Sequence, residues 1–205
     1  MKKQALAAVI AATISMPSTA DFLGVYAGLD YASNETSFSN SNATEDDNNL
    51  SGYVAFEHFI PLVPNVKLKY SDLSNSDFNN NDSSAMNAIL YYEVLDNDLV
   101  EIDLGLAYTD TESFNHDASI AQAYGAAKVH IPGVSMHAFA EVIGGSLTDD
   151  DALDAQIGLA YTFNPDSYLL NVAVRAGYRV QELEFDNVAG TQEVDGLFAG
   201  VEVHF

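Results

Sequence analysis

The sequence predicts an all-β chain folded as an up-and-down antiparallel transmembrane β-barrel of ten strands. Three observations predict it: segments in which apolar and polar residues strictly alternate, connections that are by turns short and long, and basic residues confined to the polar side of those segments. Without a strand pair around 145–153 the count would fall to eight.

The first segment lies outside the fold. Lys2 and Lys3 open a basic stretch, "ALAAVIAATISM" (5–16) is an apolar run too short to cross a bilayer, and "PSTA" (17–20) places small residues at a cleavage position. That order is the pattern of a secretory signal peptide, so residues 1–20 are expected to be removed near Ala20. Residues 21–205 then form the barrel. They contain no cysteine, which excludes disulfides and thiol chemistry. The formal charge of -23 makes nucleic acid an unsuitable partner, since phosphate binding rests on Lys and Arg. Yet 48% of the residues are hydrophobic, and no run of eighteen apolar residues exists to gather them into a helical span.

The apolar residues go onto one parity of short segments. Leu23, Val25, Ala27, Leu29 and Tyr31 alternate with Gly24, Tyr26, Gly28 and Asp30; Val66, Leu68 and Tyr70 alternate with Lys67, Lys69 and Ser71. Val100 to Tyr108 and Leu170 to Tyr178 repeat the pattern, and less regular versions run through 50–60, 85–94, 120–131, 134–144, 154–163 and 196–205. A period of two marks strands. Four connections, 61–65, 95–99, 132–133 and 164–167, are tight and rich in turn residues. The others, 32–49, 72–84, 109–119, 145–153 and 181–195, are long, polar and predicted to be loops. Tight turns at one end and long loops at the other describe an up-and-down barrel.

A soluble sandwich alternates as well, so the charges decide. Beyond the leader the basic residues are Lys67, Lys69, Lys128, Arg175 and Arg179, and all fall on the polar parity. A soluble β-protein would place lysines along its loops and edges. Glu57, Glu93, Glu101, Asp103, Glu141 and Glu202, with Asp30, share that parity, which predicts an ion-pair network sealed within the lumen. Aromatic residues close the apolar parity at both ends: Tyr31, Tyr70, Tyr108 and Tyr178 toward the long loops, Phe163 and Phe205 toward the short turns. Such rings form the interfacial girdles of membrane barrels.

The chain closes on "DGLFAGVEVHF". An alternating segment ending in Phe resembles the C-terminal strand signature of bacterial outer-membrane proteins, and the resemblance implies the barrel-assembly machinery as a partner. Together with "DFLGVYAGLDY" (21–31), "EHFIPLVPNVKLKYSDL" (57–73), "LYYEVLDNDLVEIDLGLAY" (90–108) and "VRAGYRV" (174–180), it makes the chain resemble a family of small Gram-negative outer-membrane β-barrel proteins of unassigned function. The resemblance implies an integral barrel surrounded by outer-membrane lipid. The absence of tryptophan departs from the family's pattern and leaves the girdles to Tyr and Phe.

No motif of catalysis or of a dedicated metal loop is present, so a non-enzymatic envelope protein is expected. The acids of the long segments, above all Glu45, Asp46, Asp47 and Asp149, Asp150, Asp151, have two readings. One is a solvated surface; the other is Ca2+ or Mg2+ held by carboxylate oxygens, bridging to lipopolysaccharide. A narrow cation-preferring pore is an alternative function. A rim hydrolase, built on His116 with Asp110, Asp117 and Ser119, comes third. Simple hairpin pairing about Pro132-Gly133 places His137 opposite Lys128 and His130 opposite Ser135, both inward.

Overall fold

The computed structural model describes residues 23–39, 44–60, 62–74, 83–113, 116–146, 150–165, 167, 170–184 and 190–205. Residues 1–20, expected to be a signal peptide, lie outside them. Ten strands follow one another: β1 Leu23–Phe38, β2 Thr44–His58, β3 Asn65–Asp72, β4 Ser84–Asp96 and β5 Val100–Ser113, then β6 His116–Ile131, β7 Met136–Ser146, β8 Asp151–Thr162, β9 Asn171–Glu184 and β10 Gln192–His204. Each pairs antiparallel with its neighbours in sequence, and β1 pairs with β10 to close the barrel. At the seam the backbones of Val25 and Phe205 exchange hydrogen bonds of 3.2 and 3.0 Å. No edge is left, which hydrocarbon demands because it offers backbone groups no partner.

The faces divide as the alternation predicts. Leu29, Leu104, Leu106, Ile157 and Leu197 point outward and are 49–69% exposed with Leu159 among them, a greasy surface that water would not tolerate. Tyr31, Tyr70, Tyr108 and Tyr178 sit at one rim of that band and Phe163 and Phe205 at the other, all 42–61% exposed. Lys67, Lys69, Arg175 and Arg179 point inward and are at most 8% exposed.

Two of the predicted long loops, 32–49 and 109–119, are largely strand. β5 and β6 take up nearly all of 109–119, and β1 with β2 most of 32–49. A spanning strand needs about 9–11 residues, whereas β1 and β6 have 16. The surplus lies beyond the tyrosine rim, where Ser33, Glu35 and Ser37 replace Leu29 and Tyr31 on the outward face. Alternation persists there, with Thr109, Thr111 and Ser113 buried inward, but the outer face is polar and the inner face mixes polar with apolar residues, so hydrophobicity gives little signal.

Three irregularities set the register, one of them at Val94, where the β4–β5 pairing shifts. Gly145, at φ 71, is the extra residue where the β6–β7 register shifts, the left-handed conformation that a bulge assigns to glycine. The β6–β7 connection takes four residues, 132–135, rather than two, so His130 faces His137 and Lys128 faces Phe139. This corrects the simple hairpin pairing.

Inside, aromatic rings lie opposite glycines on neighbouring strands. Tyr53 pairs with Gly28, Tyr91 and Tyr124 flank Gly105, Phe139 faces Gly158 and Phe198 faces Gly177. The rings need that space: a Cβ on Gly28 would lie 2.3 Å from the Tyr53 ring. Gly28→Ala is therefore expected to cost about 1–3 kcal/mol, seen as a lower midpoint in urea unfolding from detergent micelles.

Candidate functional site

The lumen is layered. Toward the outer, long-strand end an apolar layer of Leu73, Ala85, Ala118, Ile120, Ala152, Leu183 and Val194 fills it. Most of this layer escapes sequence reading because Leu73, Ala118, Ala152, Leu183 and Val194 stand among polar residues on segments predicted to be loops, whereas Ala85 and Ile120 open predicted strands.

Below it lies the ionic layer. Glu141 on β7 takes both Lys67 and Lys69 from β3, the latter at 2.8 Å. Lys69 also meets Asp154 at 2.9 Å. Arg179 on β9 holds Asp154 with two donors, Nε at 2.8 Å and Nη2 at 2.6 Å, and reaches Ser51 and Ser71 with its remaining N–H groups. This bidentate fork is the strong form of such a contact. Arg175 faces Asp30 at 3.2 Å and Glu202 at 3.6 Å, accompanied by the Tyr53 hydroxyl, which donates to Glu202. Its guanidinium lies 4.6 Å from the Phe139 ring centroid and 5.4 Å from that of Phe198. Gln156 joins the two groups, donating to Glu141 at 3.0 Å and accepting from Arg175 at 3.4 Å.

Asp154 follows the acidic run 149–151 expected to face outward. It is instead 7% exposed and central to the network. Its place beside "DDD" hid it, although it falls on the inward parity of β8.

The third layer opens toward the short turns. Lys128 meets Glu101 at 2.9 Å, and His130 shares that carboxylate at 2.6 Å. The His130 and His137 rings are 5.4 Å apart. A vestibule of about 450 Å³, walled in part by Tyr26, Glu101, Lys128, His137, Ala173 and Glu202, leads here. Deeper in, a chamber of about 60 Å³ is walled by Tyr91, Tyr124, Glu57 and Asp103 among others. Glu57 accepts a hydrogen bond from the Tyr91 hydroxyl and Glu93 one from the Asn65 amide, both 2.7 Å. Of the network residues expected from the sequence, Lys67, Lys69, Glu101, Lys128, Glu141, Arg175, Arg179 and Glu202 form ion pairs. Glu57, Glu93 and Asp103 form none among the described residues.

The acidic runs do not converge. Glu45, Asp46 and Asp47 lie in β2, so Asp46 points outward while Glu45 and Asp47 take the other parity. Asp149 lies outside the described residues, while Asp150 and Asp151 lead into β8. Among the described residues no three acids or histidines are grouped as a metal ion would require. In the proposed hydrolytic set, Ser119 donates to Asp110 at 3.2 Å; the side chain of His116 is outside the described residues.

No family profile and no curated protein matches the chain. Among solved structures it is similar to Neisserial surface protein A, at 19% identity and TM-score 0.43, over 88% of this chain and 97% of that one. It is similar to the attachment invasion locus protein of Yersinia pestis at 13% identity and TM-score 0.32, over 89% and 98%. For the toluene transporter TodX of Pseudomonas putida the identity is 12% and the TM-score 0.36, over 95% and 93%. The fold assignment rests on this chain's own closed ladder and two-faced strands: it has the architecture of an outer-membrane β-barrel.

Proposed function

We propose that the chain is an integral, non-catalytic protein of the bacterial outer membrane, whose overhanging strands form an acidic collar that gathers divalent cations and, through them, anionic lipopolysaccharide. The observation that carries this reading is a set of like charges set directly across the ladder. Glu35 stands between Asp46 and Asp195; Glu193 faces Glu182, Asp151 faces Glu184 and Glu112 faces Asp117. All lie on the outward parity beyond the tyrosine rim. Opposed like charges destabilise a sheet by a few tenths to about 1 kcal/mol per pair. Every described base points into the lumen, so the counter-charge must come from solution. Paired carboxylate oxygens suit hard divalent cations, held between strands rather than in a closed cage.

The filled lumen disfavours the alternative of a cation-preferring pore, since an apolar layer and an ion-paired layer lie in series along its axis. The collar is tested by thermal unfolding in detergent. Mg2+ is expected to raise Tm more than Na+ at matched ionic strength. Glu35→Gln is expected to raise Tm without Mg2+ and to reduce the gain with it. An equal response to both cations would refute the proposal.

A further inference from the structure

The lipid-facing wall is not evenly filled. Across β5 to β9 it carries an open groove of about 480 Å³, floored by Gly125, Ala140 and Ala155 and flanked by Leu104, Ile157 and Tyr178. A Cβ built on Gly125 would meet Leu104 and Val142 only at 3.7 Å, so the floor is open there. The ladder pairs along it form one row: Leu104 with Gly125, Gly125 with Val142, Val142 with Ala155 and Ala155 with Val180. At about 4.8 Å per strand the row is roughly 19 Å long, a reach that suits an extended acyl chain.

The two ends of the row differ. On β5 it lies inside the apolar band, with Leu106 between Leu104 and the Tyr108 rim. On β9 it reaches the rim itself at Tyr178. Directly beyond stand acids of the collar. Asp195 is the ladder partner of Val180 and accepts a hydrogen bond from the Tyr178 hydroxyl, and Glu182 faces Glu193 at the next outward position. Asp151 and Glu184 face each other farther out on β8 and β9. The groove therefore runs obliquely from the collar down into the band, with room for a head at the rim and a tail below.

We infer that the groove seats one acyl chain of a lipopolysaccharide molecule whose phosphate is bridged by a divalent cation to Glu182, Glu193 and Asp195. The inference rests on the collar as a gatherer of divalent cations and names where on the wall the lipid lies. Among the described residues the bases pair with acids inside the lumen, so a phosphate meets these outward acids only through a cation. Within lipid, apolar surfaces gain nothing from the exclusion of water. The anchor at the rim is what selects this chain, because a tethered tail meets the groove at high effective concentration. Dispersion contacts with the floor, forfeited when the groove stands empty, then hold it.

The chain contains no tryptophan, so one introduced indole reports on its own surroundings. Ile157→Trp places it at the groove, and Leu68→Trp, next to the Tyr70 rim on β3, is the reference; both positions are exposed. The full chain is folded into phosphatidylcholine vesicles in which a minor component is lipopolysaccharide with brominated acyl chains. With Mg2+ present, Ile157→Trp is expected to be quenched at least about twofold more than Leu68→Trp. That excess is expected to vanish when Mg2+ is chelated, and when Ala140→Leu fills the floor. Leu104→Trp and Ala155→Leu replace the groove indole and the filling variant if either does not fold. Equal quenching at the two positions, or an excess that survives chelation or filling, would overturn the inference. The collar is judged separately: equal quenching in a chain whose Tm still rises more with Mg2+ than with Na+ removes the groove alone, whereas loss of that preference removes both.

Discussion

Glu141→Gln is expected to be among the most destabilising single substitutions in the lumen, at about 3–5 kcal/mol. The glutamine keeps the shape but removes the charge that both Lys67 and Lys69 depend on. Lys69 retains Asp154 at 2.9 Å, whereas Lys67 keeps no carboxylate partner. Both ammonium groups are buried, at 10% and 4% side-chain exposure, so water cannot replace the lost contact. The lost stability belongs to the uncompensated lysine more than to the ion pair itself. The double variant Glu141→Leu with Lys67→Leu is therefore expected to recover a large part of it, a coupling that a double-mutant cycle reads directly. Urea unfolding from micelles, or the temperature at which the compact gel band is lost, measures both. A cost below about 1 kcal/mol for Glu141→Gln would mean that water reaches the centre of the lumen.

Adjacent substitutions on β9 should separate the two faces of the wall. Val174 is 41% exposed on the outward parity, between the Tyr178 rim and the short turns, with Val201 and Tyr161 as ladder partners. Arginine there would face hydrocarbon near its middle and cost about 2–4 kcal/mol. Ala173, one residue away, borders the open vestibule and lies directly across from Glu202. Arginine at 173 gains space and a carboxylate, and should cost about 1 kcal/mol or less. Refolding yield into vesicles and gel mobility would show the contrast. Equal losses would contradict the assignment of faces, because the two positions share strand, depth and backbone pairing.

The face assignment was legible because it needs only a local period. Lys67, Lys69, Lys128, Arg175 and Arg179 share one parity with the inward acids, and no knowledge of their partners is required to see it. The girdle aromatics follow from the same rule. It fails where the outer face turns polar: the strand ends bearing Glu35, Asp46, Glu112 and Asp117 read as loops because Asn34, Thr36, Thr111 and Ser113 stand on their inner side among scattered apolar residues such as Ala118. The partners were not legible either. Glu141 meets Lys67 across 74 positions of sequence, and Arg179 meets Ser51 across 128. Such distances depend on strand stagger and on bulges such as that at Gly145. The same geometry sets Tyr53 over Gly28 and moves His130 opposite His137.

Strand number, the greasy outer wall, the ionic inner wall and the rims of Tyr and Phe were therefore determined by the sequence alone, since alternation along a strand is a property of neighbouring residues. Which acid meets which base, that Asp154 turns inward, and that Glu57, Glu93 and Asp103 form no ion pair among the described residues were decided only on closure. Contacts across a lumen join residues that are remote along the chain, and only the shear of the closed sheet brings them to the same height.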